Sequence, residues 1–208
     1  MAVFGGAHDQ ATYRQVAELH AANIDQGFLS SLGVTFLALL YEAIDACDSS
    51  VLFVAKSEQS VVGFVVGAES MGPIYRQLFR FLPRLVWALL PALLSPRKLW
   101  KITELLFLGH KVEPFEGLAD AELLSIVVNP AHRGQGHAES LYLKLMQHFR
   151  QRGISAFRIV VGTSLTSAHH FYLKMGARPV GHLQVHQGQQ SVIYQQESAP
   201  CSYVAHRP

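Results

Sequence analysis

An α/β fold is expected of this 208-residue chain on three observations. Stretches with apolar residues at helical spacing alternate with β-branched apolar runs. Hydrophobic residues make up 50% of the chain and charged residues 15%, which excludes disorder for its bulk. One apolar strand ends in a glycine turn that leads straight into an amphipathic helix. The length suits a single domain with room for an insertion. Cys47 and Cys201 are too few for a disulfide scaffold or a zinc ribbon and fit a reducing compartment. The amino terminus has no basic start followed by an apolar run, so a cytoplasmic location is expected.

Residues 13–24 place Val16, Leu19, His20 and Ile24 near helical spacing, and a second helix is read over 28–44. Two β-branched runs then flank the polar break at 56–60, which predicts a hairpin. After the polar loop at 112–120 comes the strand ELLSIVV, then Asn129-Pro130 and the turn HRGQGHA. A helix follows over 140–152, with Leu141, Leu145, Met146 and Phe149 on one face, arginines near its carboxyl end and Gly153 as its stop. AFRIVVG reads as a strand, 167–175 as a short helix ending at Gly176, and the region beyond as a hairpin turning near Gly188. Residues 198–208 have no period and are expected to form a flexible tail on a single domain of 1–197.

The net charge of +2 conceals a segregated pattern. Between Glu69 and Glu104 no acidic residue occurs, whereas Arg76, Arg80, Arg84, Arg97, Lys98 and Lys101 all do. This basic, apolar segment, about 71–111, is read as an insertion that Pro73, Pro83, Pro91 and Pro96 break into short helical pieces. Its apolar run at 85–94 is far shorter than the ~20 residues of a spanning helix.

The order strand, glycine turn, helix is the arrangement in which backbone donors at a helix start bind a phosphate. In Arg133-Gly134-Gln135-Gly136-His137-Ala138 the glycines keep side chains away and permit positive φ, Ala138 allows close approach, and Arg133 adds a permanent charge. The ligand expected is a pyrophosphate. A nucleoside-triphosphatase loop is excluded because no Gly-Lys-Ser/Thr follows, and a three-glycine dinucleotide fingerprint is absent.

The stretch IVVNPAHRGQGHAESLYLKLM resembles motif A of the GNAT superfamily of acyl-CoA-dependent N-acetyltransferases, with Arg133, Gly136 and Ala138 matching its Arg/Gln-x-x-Gly-x-Gly/Ala pattern. Downstream, AHHFYLKMGARPVG is similar to the family's second signature. The resemblance implies a central mixed, mostly antiparallel sheet flanked by helices, interrupted here by the helical insertion. It implies transfer of an acetyl group from acetyl-CoA to an amine, with the backbone of Ile126, Val127 and Val128 holding the pantetheine arm and the turn from Arg133 to Ala138 the pyrophosphate. Tyr172 becomes the candidate proton donor to the leaving thiolate. Glu122, eleven residues before Arg133 and at a place where some members carry a glutamate base, becomes the candidate base, suited to it by burial near an apolar site. Two departures stand out: Leu165 where relatives often have an asparagine, and Ala177 where an aromatic is common.

A primary amine of a small molecule, such as an amino sugar or a nucleotide-linked amino sugar, is the expected acceptor. A protein amino terminus or lysine, and a non-catalytic module that binds coenzyme A, are the alternatives. Neither a metal nor a nucleic-acid partner is expected: His182 with His186, and His169 with His170, lack a Cys or carboxylate at ligand spacing. His132 and His137 flank the phosphate turn as incidental neighbours. Phe28, Phe36 and Tyr41 form an aromatic stripe that lines either a pocket or the core. For the insertion, a cover over the acceptor site or a homodimer contact is favoured over a membrane-surface anchor. In the cover, Arg76, Arg80 and Arg84 select an anionic acceptor.

Overall fold

The computed structural model describes residues 2–24, 29–93, 118–185 and 189–198. Within them seven strands form one mixed, mostly antiparallel sheet in the order β1-β2-β3-β4-β5-β7-β6. The strands are β1 (Ala2–Gly5), β2 (Ser50–Ser57), β3 (Ser60–Ala68), β4 (Glu122–Val128), β5 (Ala156–Gly162), β6 (Arg178–Val185) and β7 (Gln189–Glu197). Only β4 and β5 pair in parallel, as a strand–helix–strand crossover requires.

On one face lie α1 (Gln10–Asn23), a 3-10 turn (Leu29–Leu32), α2 (Val34–Asp45), α3 (Met71–Arg80) and α4 (Leu82–Leu93). Their apolar residues meet β3 around Val16, Leu37, Tyr41, Phe64, Ile74 and Leu85. On the other face lie α5 (His137–Gln151) and α6 (Thr166–Lys174), packed around Leu141, Tyr142, Leu145, Phe149, Phe157 and Tyr172. The fit of α5 on β3 is close: a Cβ at Gly67 would stand 2.4 Å from the Leu145 side chain and 2.7 Å from Phe149.

Several boundaries differ from expectation for local reasons. Strand β1 was not foreseen; four residues are too short for a period to register, and pairing with β2 makes the strand. Helix α1 starts earlier than residue 13 because Asp9 caps it, its carboxylate accepting from the Thr12 N–H at 2.8 Å. The second helix is shorter than 28–44, since Gly33 at φ 96° separates the 3-10 turn from α2; Phe28 lies outside the described residues. Helix α5 begins at the glycine turn itself rather than at Ser140.

The insertion is helical, but its prolines interrupt it less than expected. Pro73 and Pro83 fall in the first turns of α3 and α4, where the missing N–H has no helical partner to lose, and α4 runs past Pro91 to its nearby end. Its continuation to 111, with Pro96, lies outside the described residues, as do Cys201, His186, Gly188 and most of the expected tail. No helix among the described residues is long and apolar enough to cross a membrane.

Candidate functional site

The site forms where β4 and β5 part. Their ladder consists of Glu122 with Arg158 and Leu123 with Ile159, after which β4 runs on to Val128 and β5 to Gly162 without pairing. A register shift in the β3–β4 ladder, a bulge near Leu124, falls at the same place. Asn129 N–H donates to the Val62 carbonyl at 2.8 Å, so by alternation Val127 also turns its backbone to β3 while Ile126 and Val128 turn theirs to the gap. Of the three residues expected to hold an extended arm, Ile126 and Val128 therefore face the opening. Val127 supports them from behind.

Beyond β4, Asn129 caps a short 3-10 turn (Pro130–His132), and the chain then passes through Gly134 and Gly136 at φ 75° and 78°. Both values belong to the left-handed region, open to glycine without the Cβ clash. Gly136 is the N-cap of α5. Among the described residues no backbone carbonyl accepts the N–H groups of Gly134, Gln135, Gly136, His137 and Ala138. A Cβ placed on either glycine would meet nothing within 4 Å. A run of free donors before open space, at the positive end of a fifteen-residue helix, fits a pyrophosphate group.

The side chains around this turn sort differently from expectation. Arg133 is directed to structure as well as to the turn: Nε donates to the Val128 carbonyl at 3.1 Å and an η-nitrogen to Asn23 Oδ1 at 3.2 Å, tying the turn to β4 and α1. Gln135 is exposed, its Oε1 3.3 Å from His137 Nε2. His137 is buried rather than incidental to the surface, with its ring centroid 6.2 Å from that of His132.

Tyr172 stands on α6 among Tyr142, Phe171 and Tyr194, ring centroids 5.3–6.2 Å away. It is buried, and desolvation pushes its phenol well above the ordinary value, so it is protonated at neutral pH. The neighbouring His169 orders this helix: Nε2 donates to the Gly162 carbonyl at 3.1 Å, leaving Nδ1 to accept from the Tyr194 hydroxyl at 2.8 Å. Leu165, at the start of α6, is exposed, and Ala177 is buried in the core.

Glu122 is not the carboxylate in an apolar pocket that its position suggests. It forms an ion pair with Arg158, its partner in the sheet register, at 2.9 Å, and both side chains are half-buried. Burial first, and then the Glu122 charge, push the phenol of Tyr75 on α3 up. The Glu122 charge thus acts on a residue of the insertion, a coupling with no signal in the sequence. Its arginines do not act as a set. Arg84 makes a bidentate pair with Glu42 at 2.8 and 2.9 Å, so it holds α4 to α2 and is not free to select an acceptor. Arg76 and Arg80 border a separate surface hollow of about 340 Å³ with Ala46, Cys47 and Asp48. Phe36 and Tyr41 are core residues, 5% and 2% exposed.

The sequence model of the acetyltransferase (GNAT) family matches residues 21–177, and no curated protein sequence matches the chain. Solved structures share the fold at low identity. Ribosomal-protein-alanine N-acetyltransferase from Brucella melitensis aligns with a TM-score of 0.62 at 16% identity, over 95% of this chain and 99% of its own. An N-acetyltransferase from Staphylococcus aureus Mu50 aligns at 0.61 and 12%, over 95% and 99%. An aminoglycoside 6'-N-acetyltransferase complexed with coenzyme A aligns at 0.60 and 12%, over 97% and 99%.

Proposed function

The chain belongs to the GNAT acetyltransferase family, and from that premise we propose that it transfers an acetyl group from acetyl-CoA to a primary amine of a small molecule. The observation that carries this reading is the parting of β4 and β5 beside a left-handed glycine turn whose N–H groups have no carbonyl partner among the described residues. Gly134 to Ala138 would bind the pyrophosphate, and Ile126 and Val128 the pantetheine arm along the gap. Acetyl-CoA supplies the activated acyl carbon. The protein's part is to orient the amine, exclude water and return a proton to the departing sulfur.

Tyr172 suits the last task because it keeps its proton at neutral pH and stands on the helix that follows β5. The base is a weaker assignment for Glu122, whose pairing with Arg158 at 2.9 Å favours a role in holding the two strands together where they begin to part. Removal of the ammonium proton is then left to water, and the enzyme selects the fraction of acceptor already neutral.

A thiol-release assay with acetyl-CoA across a panel of small amines, amino sugars and peptide amino termini tests the reading. Amine-dependent release with a small amine as the best acceptor is expected. Release that depends on peptides alone overturns the acceptor class. Binding of acetyl-CoA without release for any acceptor overturns the activity.

A further inference from the structure

The insertion carries an apolar surface that acetyl transfer does not use. Helices α3 and α4 both pack on α2, with Ile74, Leu78, Leu85 and Ala88 buried in one shared core. Their other sides are turned to solvent. Trp87 is 76% exposed, and Phe79, Leu82 and Val86 are 50%, 51% and 48% exposed. On α4, Pro83, Val86 and Trp87 stand at i, i+3 and i+4, opposite the buried Leu85 and Ala88, so this helix is apolar on both sides. A helix that only had to cover the core would be polar there. The clustering is local: the other exposed large apolar side chains among the described residues, Leu143, Leu165, Leu173 and Val180, are spread over α5, α6 and β6. A concentrated patch of this kind marks an interaction surface, whereas scattered single residues do not.

Charge narrows what the surface meets. No acidic residue occurs from 70 to 103 in the sequence. Arg76 and Arg80 are exposed at the positions three before and one after Phe79, on the side of α3 away from Ile74 and Leu78. Neither forms an ion pair with an acidic side chain among the described residues, although Asp48 borders the same hollow. Arg97, Lys98 and Lys101 continue the series along the sequence. A second copy of the chain would bring these cations against themselves, and like charges oppose such a contact. The shape narrows it further. None of the four exposed apolar side chains borders the hollow beside α3, so they project from helices rather than line a groove that could seat a peptide. A planar lipid interface accepts such helices lying along it, and tryptophan favours the headgroup level. Neither helix is long and apolar enough to span the bilayer.

We infer that α3 and α4 form a peripheral membrane contact, in which Phe79, Leu82, Val86 and Trp87 enter the headgroup–acyl boundary and Arg76 and Arg80 face anionic headgroups. The sequence alone favours a cover or a homodimer contact for the insertion; the outward Trp87 and the pairing of Arg84 with Glu42 reverse that order. The inference does not depend on which acceptor the site takes.

Trp87 and Trp100 are the two tryptophans of the chain, so its tryptophan fluorescence reports on the insertion alone. In the full chain carrying Trp100→Phe, the Trp87 emission should shift to the blue on vesicles that contain phosphatidylglycerol and stay unchanged on pure phosphatidylcholine. Wild-type protein should cosediment with the anionic vesicles and be released by high salt. Arg76→Gln with Arg80→Gln should weaken this partition about thirtyfold, roughly fivefold for each arginine. Phe79→Ser with Trp87→Ser should weaken it at least about tenfold, with the melting curve and acetyl-CoA affinity unchanged because these side chains lie outside the core.

Wild-type protein that does not cosediment with anionic vesicles overturns the inference. So does equal binding to neutral vesicles, or binding that survives the loss of Phe79 and Trp87. A mass that rises with protein concentration and falls back in the Phe79→Ser, Trp87→Ser variant, without vesicle binding, gives the surface to a second copy instead. A Trp87 emission already blue without vesicles, and unmoved by them, means that the chain covers this surface itself. Vesicle binding is read without acetyl-CoA or acceptor, so failure of the acetyl-transfer reading leaves this inference standing, and its own failure leaves that reading intact.

Discussion

Each face of the sheet carries a histidine–tyrosine pair, buried on one face and with its histidine half-buried on the other, and the two end differently. On the α5/α6 face His169 accepts from Tyr194 and donates to the Gly162 carbonyl, so its hydrogen bonds close on the backbone and strap α6 to the end of β5. On the α1/α2 face His20 accepts from Tyr41 and donates to Ser30, whose own proton goes to the Ile24 carbonyl, so the chain takes in a further side chain before it ends on the backbone. The same two residue types with the same tautomer thus serve as a fixed strap in one case and as a directed chain in the other. What differs is whether the group that accepts the histidine proton has a proton of its own to pass on.

The comparison breaks most visibly at the cofactor turn, which belongs to one face only. Gly136→Val puts a β-branched side chain at φ 78° and into the space before the free N–H groups. Acetyl-CoA affinity is expected to fall by at least about a thousandfold, roughly 4 kcal/mol, measured by calorimetry. The melting profile should remain cooperative, because the core around His20 and Tyr41 does not depend on the turn. Retained affinity would separate the turn from the cofactor.

Acid sharpens the contrast on the other face. His20 titrates near 6.5 when unfolded and at about 4 when folded, so below 6.5 the unfolded chain binds a proton that the folded one refuses. The stability that the neutral ring allows is therefore fully present above pH 6.5 and is lost as pH falls toward 4, by an amount on the order of 3 kcal/mol. Denaturant melts between pH 7 and 4 should show this slope in the wild type and a shallower one in His20→Gln. Equal slopes would mean that the ring is not held neutral by its burial.

Tyr172→Phe tests the α6 side. Ring packing against Tyr142 and Tyr194 is kept, and only the proton is lost. Turnover should fall between about ten- and a hundredfold, roughly 2 kcal/mol, with acetyl-CoA affinity unchanged. An unaltered single-turnover rate removes the role. The smallest effect is expected from Arg84→Gln, which breaks a half-exposed pair with Glu42. About 0.5 kcal/mol of stability should be lost with no change in acceptor KM. A raised KM would return Arg84 to the acceptor site.

The glycine turn was legible in the sequence because its chemistry is local. Strand, two glycines and helix follow one another within a few residues, and left-handed φ at Gly134 and Gly136 is what such glycines are for. The same locality exposed Tyr172 before Gly176 and the charge segregation of the insertion. The short strand β1, the start of α1 at Asp9 and the continuation of α4 past Pro91 were missed, since periodicity does not register four-residue strands or capping from outside the apolar run.

By itself the sequence determined the family, the order of the main elements and the left-handed glycine turn before α5, since each depends on neighbouring residues and on conformations that glycine alone adopts freely. Only the tertiary structure decided that Glu122 is paired with Arg158, that Arg84 is spent on Glu42, and that His20, Ser30 and Tyr41 form one chain. These residues come from separate helices and strands, and nothing in their spacing brings them together. Their hydrogen-bond roles are set by burial, which removes water as a partner and obliges each polar atom to find one in the fold.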